Sequence, residues 1–453
     1  MANSEFVKWL RDSAPYINTH RGRTFVLALG GDAIASEHLE HITHDIALMT
    51  SLGIRLVLVH GARQQIEEAL TQAGEVPRYQ QHLRVTSAKS MTVVKQVVGA
   101  VRFGIEASLA TGVSGTPMHR SRVRVISGNF VVARPMGVLD GVDLGYTGAV
   151  RRIDVAGIRF QLDAGNTVLI SPIGYSPTGE AFNLNADDLA ATVAIELAAD
   201  KLIVLDDRPG VLDRDGNLIS ELSPSDLVRI VAAHIPEQTP RGVRLNAVAR
   251  AAQSAVARCH VVSYVEDGDL LTELFTHIGA GTAVSEHSAE RMRGASMDDV
   301  AGILDLIRPL EEKGYLVRRS RELLEREIDR FVVAELDGLI IGCAALYPYP
   351  ESGSGELACL ATHPDYRNRP STHGAASSLA ESGEQVSLGE NLLNAIVNRA
   401  RQHGLTRLFA LTTRTSDWFR EHGFQSAELS DLPASKLALY NMQRNSKVLI
   451  KEL

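Results

Sequence analysis

"TFVLALGGDA", residues 24–33, is an uninterrupted apolar run that ends in paired glycines. Such a run predicts a strand buried on both faces, and the glycines a tight turn that brings backbone N–H groups close to a phosphate. No lysine or arginine lies between Thr24 and Ile34, so the turn has the form of an anion site without its charge. The surrounding sequence repeats the pattern. "LEHITHDIALMTSLG" predicts a helix, "IRLVLVHGA" a second strand ending in Gly61, and "ARQQIEEALTQAG" a helix stopped by Gly74. "NTVLISPIG" and "DKLIVLDDRPGVL" are further apolar runs into turns, with the helix "NADDLAATVAIELAAD" between them. Residues 24–283 therefore predict a doubly wound, mainly parallel open sheet. In that architecture the turns after "VLAL", "LVLVH", "VLIS" and "IVLDD" line one cleft. The glycine-rich alternation "RVRVISGNFVVARPMGVLDGVDLGYTGAVRRID" predicts a hairpin or a β-rich lid over it.

At 453 residues the chain exceeds one core, and two domains are expected. Hydrophobic residues at 45% and charged residues at 22% are ordinary for a globular protein, and no apolar run approaches the ~20 residues of a membrane span. A formal net charge of −8 argues against nucleic acid or a membrane surface as partner, because both select a basic face. Small anionic substrates remain open to it, since they need only a local cluster of arginines. Cys259, Cys343 and Cys359 lie in apolar runs without zinc spacing, which predicts buried thiols and no metal site. Phe6, Trp9 and Leu10 are interrupted by Glu5, Lys8 and Arg11, which gives an amphipathic helix over 4–18 and no signal peptide. A cytoplasmic protein is expected.

The run "GAGTAVSEHSAERMRGAS", 279–296, breaks the pattern with glycines, small residues and charges. The boundary is placed there: a first domain over 1–283, a linker over 284–290 and a second domain over 291–453. Beyond it the order changes to two helices, two meander strands, the strand "GELACLATHP", a long polar loop, a helix near 389–403, the strand "RLFALTT", a short helix and a final strand. "CLATHPDYRN", "LGENLLNAIVNRARQHGL" and "WFREHGF" resemble the core of GNAT acetyltransferases, an α+β fold. That resemblance implies that the backbone of Cys359, Leu360 and Ala361 pairs with the pantetheine amides of acetyl-CoA. It also implies that N–H groups at the helix start, at Leu388, Gly389 and Glu390, hold the pyrophosphate, as helix N-termini do. Arg367 opens the family's phosphate loop, but "RPSTHGAASSLAESGEQVS" separates it from Gly389, so Gly389 is the safer phosphate contact.

Taken whole, the chain resembles the bacterial N-acetylglutamate synthase family, an amino-acid-kinase-like domain followed by a smaller GNAT domain. "PYINTHRG", "LGIRLVLVHGAR", "VISGNFVVARPMGV", "IRPLEEKG", "LVRRSRE", "CAALYP" and "NSKVL" carry the match. The implied reaction moves the acetyl group of acetyl-CoA to the α-amino group of L-glutamate. By this resemblance Arg319, or its neighbour Arg318, and Arg444 bind the substrate carboxylates, for which guanidinium forks are suited. An ammonium has no lone pair, so a base is needed, and Glu356 at the start of the core strand is the candidate. Thr412 is the candidate proton donor to the leaving thiolate, with Thr413 beside it and Tyr440 as the alternative. Acetyl-CoA is a co-substrate, and no permanently bound cofactor is implied.

The first domain resembles acetylglutamate kinase, through "NLNADDLAATVA" and "DKLIVLDDRPGVLDRDGNLI". Kinases of that family carry a lysine two residues before the paired glycines, where this chain has Ala28. Phosphoryl transfer depends on such cations, so the fold is expected without the activity. Asp187 is retained, with no partner evident in the sequence. Arginine-sensitive members carry an N-terminal helix and a segment like "LLTELFTHIGAGTAV". This implies an inhibitory L-arginine site with Glu273 for the guanidinium, Lys201 and backbone near Gly281 for the carboxylate, and Tyr16 closing it. The family also implies a homo-oligomer, a hexamer. The competing readings are a bifunctional kinase and synthase, and a non-catalytic arginine-binding regulator.

Overall fold

The computed structural model describes residues 2–112, 116, 118–276, 279–286, 290–336, 339–366, 387–440 and 446–453. It forms two compact units, Met1–His287 and Ser288–Leu453.

The first unit is built on an eight-stranded sheet. From edge to edge its strands are Glu221–Leu222, Thr282–Val284, Arg258–Ser263, Lys201–Asp206, Thr24–Leu29, Arg55–His60, Thr167–Ile170 and Val125–Ser127. Every pairing is parallel except Arg258–Ser263 with Thr282–Val284. The opening strand is buried at every position because its two faces meet different cores. Val26 and Ala28 pack with Leu189 and Val193 of helix Ala186–Leu197 and Val248 of helix Pro240–Ala252. Phe25, Leu27 and Leu29 pack with Ile42 and Ile46 of helix Leu39–Ser51 and Ile105 of helix Ala88–Leu109. A strand covered on both sides favours apolar side chains at every position, which is why alternation is missing.

The paired glycines open a short helix, Gly31–Ala35, and neither has a positive φ. They serve close approach. A Cβ on Gly31 would lie 3.0 Å from Arg63 N, and one on Gly61 would lie 2.9 Å from Gly31 N. The carboxyl ends of two neighbouring strands therefore touch through backbone, sealed by Gly61 N–H donating to Leu29 O at 2.7 Å. The glycine-rich stretch 122–154 gives Val125–Ser127 to the main sheet and Val131–Pro135 and Gly148–Ile153 to a separate four-stranded sheet completed by Ile173–Tyr175 and Ala181–Asn183, with a small hairpin of Val138–Leu139 and Val142–Asp143.

The second unit is a seven-stranded sheet: Glu290–Gly294, Phe331–Leu336, Leu339–Tyr349, Ser354–Thr362, Arg407–Thr412, Lys447–Glu452 and Gln425–Ala427. Its one parallel pairing joins Ser354–Thr362 to Arg407–Thr412. Helices Val300–Glu312 and Arg321–Arg326 cover one face through Ile303, Ile307 and Leu324. Helix Leu388–Gln402 covers the other through Leu392 and Ile396. The run 279–296 was expected to be a break, yet it holds strands Thr282–Val284 and Glu290–Gly294. The second is hidden in composition because its charges are used: Arg293 binds Asp299 at 2.7 Å and Glu335 of the neighbouring strand at 2.5 Å.

Replacing Gly61 by alanine is expected to lower the stability of the first unit by about 1–3 kcal/mol, since the added methyl meets backbone that cannot step aside. A urea titration followed by a probe in that unit checks it.

Candidate active and regulatory sites

In the second unit the site begins with a backbone irregularity. The core strand Ser354–Thr362 pairs with Arg407–Thr412 only from Ser354 to Leu357, opposite Arg407 to Ala410. Both strands then run on, to Thr362 and Thr412. On its other edge the core strand is bulged: Ala345 pairs with Ala358, but Cys343 pairs with Ala361. Cys359 carries the bulge, with φ +51. An extra residue bends a strand and increases its twist, so the two parallel strands part at this point. The peptide edge from Ala358 to Thr362 is thereby released from Arg407–Thr412, which is the arrangement that a chain of ligand amides can pair with. Cys359, Leu360 and Ala361 lie on this edge.

Glu356 precedes the bulge and is cross-strand partner to Tyr347. It is 8% exposed, so it does not face solvent as a strand-edge glutamate commonly does. Its Oε2 lies 2.7 Å from Lys436 Nζ and accepts a 3.5 Å hydrogen bond from Tyr349 Oη. Burial, and then the Glu356 charge, push the Tyr349 phenol well above its ordinary range. The loop between the two helices of this face brings in Arg319, whose guanidinium carbon lies 6.0 Å from the Tyr347 ring centre. Its peptide N–H is held by Glu311 Oε1 at 2.9 Å. Tyr347 donates to Glu327 Oε2 at 2.8 Å, and burial leads in pushing its phenol up to about 12. Arg319 and Glu356 thus share one face of the sheet, whereas Arg318 is exposed. Arg444 and Arg367 lie outside the described residues, as does the polar insertion from 369 to 386.

Thr412 ends the strand Arg407–Thr412. Its hydroxyl accepts the N–H groups of Thr415 and Arg414 at 3.1 and 3.3 Å and shares a 2.9 Å bond with Thr415 Oγ1. It is built into the turn that starts helix Ser416–Glu421. Tyr440 donates to Ser446 O at 2.7 Å, which commits its proton. The helix Leu388–Gln402 is N-capped by Ser387, whose hydroxyl accepts from Glu390 N–H at 3.3 Å. Among the described residues the Leu388 and Gly389 N–H groups of the first turn take no partner, while the Glu390 carboxylate faces His422 at 3.8 Å. A Cβ on Gly389 would lie 3.4 Å from Trp418, so the glycine also admits that ring. Cys343 and Cys359 are buried free thiols, and burial raises both above the ordinary thiol range, which gives neither a nucleophilic role.

The carboxyl ends of the first unit's strands surround a cavity of about 330 Å³, lined by Ala28, Gly30, Gly31, Arg63, Asp187 and Arg244 among others. The turns after "VLAL", "LVLVH" and "VLIS" line it. The turn after "IVLDD", expected there too, does not line it; that strand bears on the cavity only indirectly, through its last residue Asp206, which holds Arg244 at 2.5 Å. Asp187 does have a partner, against expectation: Arg244 lies 3.4 Å from it and 3.5 Å from Asp32. Arg244 sits on helix Pro240–Ala252, more than 50 residues from Asp187, a separation no motif spans. Burial works against the guanidinium charge, but the fields of Asp187, Asp206 and Asp32 outweigh it. Arg244 is therefore already matched by carboxylates.

The residues assigned to an arginine site form one buried chain. Lys201 Nζ lies 3.1 Å from His260 Nε2, and His260 Nδ1 lies 2.6 Å from Glu273 Oε1. Glu273 Oε2 accepts the N–H groups of Ala280 and Gly281 at 2.8 and 2.9 Å. The ammonium can only donate, so Nε2 accepts and Nδ1–H donates to the carboxylate, a neutral imidazole. Lys201 and Gly281, expected as donors to a ligand, bind His260 and Glu273 in this structure. Sequence reasoning missed His260, whose only signal is its place in the strand paired with Lys201–Asp206. Tyr16 is buried with Leu270, Leu274 and Phe275 of the helix that carries Glu273. Gly281 is required, because a Cβ there would lie 2.4 Å from Val261 O.

Burial, with the Lys201 charge, lowers His260 to about 4, while its bond to His260 leads the effects that bring Glu273 down to about 2 against burial. Both folded values lie below the unfolded ones. Their stabilisation is complete above about pH 6.5 and is lost on acidification, first through His260 down to about pH 4 and then through Glu273. Asp45, raised to about 7 chiefly by burial, acts in the opposite sense, so the comparison needs a variant. The unfolding free energy of the native chain minus that of His260→Gln should fall by about 3 kcal/mol from pH 7 to pH 4. A pH-independent difference would refute the assignment of charge states.

Among the described residues, no helix is long and apolar enough to cross a membrane, and no group of three or more His, Cys, Asp or Glu is placed to hold a metal. Residues 23–263 match the amino acid kinase family, and residues 300–424 match the acetyltransferase (GNAT) family. The chain is 51% identical over 451 residues to an amino-acid acetyltransferase of Pseudomonas putida (strain GB-1), covering 99% of this chain and 100% of that one. The same identity and coverage hold for the amino-acid acetyltransferase of Azotobacter vinelandii. Among solved structures it is similar to N-acetylglutamate synthase from Neisseria gonorrhoeae complexed with coenzyme A and L-arginine, at 39% identity, TM-score 0.85 and 99% of both chains. The same enzyme complexed with coenzyme A and N-acetyl-glutamate matches with a TM-score of 0.61. A kinase-type open sheet, a GNAT sheet parted beside Glu356 and full-length similarity agree: this chain belongs to the amino-acid acetyltransferase family.

Proposed function

We propose that the chain transfers the acetyl group of acetyl-CoA to the α-amino group of L-glutamate, giving N-acetyl-L-glutamate and free CoA. The observation that carries this reading is the placing of Glu356 and Arg319 on one face of the sheet, beside the point where the core strand leaves its parallel neighbour. Glu356 removes one proton from the α-ammonium, the amine attacks the thioester carbonyl, the C–S bond breaks as the amide forms, and the second proton lost from nitrogen goes to the departing thiolate, giving CoA thiol. A thiolate is a good enough leaving group that the acid is the less demanding partner, which suits the committed geometry of Thr412 and Tyr440. Arg319 binds one substrate carboxylate and Arg444 is assigned the other. The peptide edge at Cys359, Leu360 and Ala361 takes the pantetheine, and the Leu388 and Gly389 N–H groups take the pyrophosphate. The Neisseria enzyme's ligands, coenzyme A and N-acetyl-glutamate, support the same chemistry here.

The first unit is the regulatory one, with L-arginine as the inhibitor, consistent with the arginine complex of the Neisseria enzyme. Glu273 is the carboxylate for the guanidinium, reached by taking the place of the Ala280 and Gly281 donors. Exposed Val7, Trp9 and Leu10 on the N-terminal helix support a homo-oligomer. A kinase role is disfavoured by Ala28 and by the matched charge of Arg244.

The reading is tested by release of CoA thiol from acetyl-CoA. Release should require glutamate and fall as L-arginine is added, while ATP with N-acetylglutamate should give no phosphorylated product. Glutamate-independent or absent release would overturn it, and ATP-dependent phosphorylation would restore the kinase. Glu273→Gln should raise the arginine concentration for half-inhibition about tenfold or more, as expected when a charged hydrogen-bond partner of about 1.5–3 kcal/mol is lost.

A further inference from the structure

Lys436 has no part in the family motifs, yet its ammonium makes the closest polar contact of Glu356, at 2.7 Å. The Lys436 side chain is one-fifth exposed and that of Glu356 one-tenth, so the pair is shielded rather than solvated. Lys436 belongs to a single helical turn, Ala434–Leu437, fastened on two sides. Leu432, just before it, packs on Phe409 and Val448 of the sheet. Ser435 donates to Glu351 Oε1 at 2.8 Å, in the turn that leads into the core strand. The turn carrying the lysine is thus tied to the strand carrying the glutamate. Tyr349 closes on the same carboxylate oxygen, Oε2, and its ring lies 5.7 Å from Phe409. Glu356 Oε1 takes no hydrogen bond among the described residues.

From this asymmetry we infer that Lys436 is a positioning residue for acetyl transfer: it pins Glu356 through Oε2, with Tyr349, and so leaves Oε1 as the atom that takes the α-ammonium proton. The inference rests on the reading of Glu356 as the base. A carboxylate on a half-apolar sheet face has two physical problems, an unmatched charge and freedom to rotate, and one contact at Oε2 answers both. The proton passes from substrate nitrogen to Oε1, and Lys436 keeps its own protons throughout. Misplacement of a catalytic group by about 1 Å costs on the order of 100-fold in rate. Lys436 therefore acts on turnover far more than on the binding of acetyl-CoA.

The test uses the full chain and follows thiol release with saturating glutamate and acetyl-CoA. Lys436→Met should lower kcat about 10-fold to 100-fold while leaving the KM for acetyl-CoA within about twofold of the parent. Lys436→Arg, which restores a cation and a donor, should recover most of the loss, and the thermal midpoints should match. Wild-type kcat in Lys436→Met would overturn the inference. So would Lys436→Arg as slow as Lys436→Met at an unchanged midpoint. Failure of the native chain itself to release thiol with glutamate is a different result, and it would count against the assigned reaction.

Discussion

The catalytic half of the molecule depends on one backbone event, the bulge at Cys359. A parallel pair inside a sheet ordinarily satisfies its own peptide groups and leaves nothing for a ligand. Here the extra residue turns the core strand away from its neighbour after Leu357 and leaves the edge from Ala358 to Thr362 unpaired with Arg407–Thr412. It also resets which side chains face which way: Glu356 before the bulge and Cys359 and Ala361 after it share the face covered by Val300–Glu312 and Arg321–Arg326. Glu356, the peptide edge and Arg319 are brought together by one local departure from regular pairing.

Charge is handled in opposite ways in the two units. In the first, Arg244 is enclosed by Asp32, Asp187 and Asp206, and Glu273 is satisfied by His260 and two peptide N–H groups. These groups are buried and matched, so a ligand must displace a partner to engage them, which suits reporting more than chemistry. In the second unit, among the described residues, Glu356 is matched at Oε2 alone, and the Arg319 guanidinium lies 6.0 Å from the Tyr347 ring centre with no ion pair to a carboxylate. Incomplete satisfaction is the mark of a group that awaits a substrate.

Much of this was legible in the sequence. The double-faced burial of Thr24–Leu29 follows from its unbroken apolar run, and Ala28 marks the missing cation by its place before the glycines. Glu356 and Arg319 were singled out through family resemblance, and the fold sets the two on one face of the sheet. What escaped was carried by long separations or by used-up charge. Arg244 meets Asp32 across more than 200 residues, His260 is one polar residue in an apolar strand, and Lys436 sits on a single turn with no periodicity. The strand Glu290–Gly294 was obscured because its arginine is paired inside the fold, whereas composition counts it as surface.

The central claim is that Glu356 supplies the base while the neighbouring peptide edge holds acetyl-CoA, so the two functions are separable. Single-turnover acetyl transfer to glutamate by Glu356→Gln, with acetyl-CoA affinity measured on the same sample, tests this most directly. The account predicts an affinity close to that of the native chain and transfer slowed roughly 100-fold to 10,000-fold. Transfer near the native rate, or loss of acetyl-CoA binding together with transfer, would contradict it.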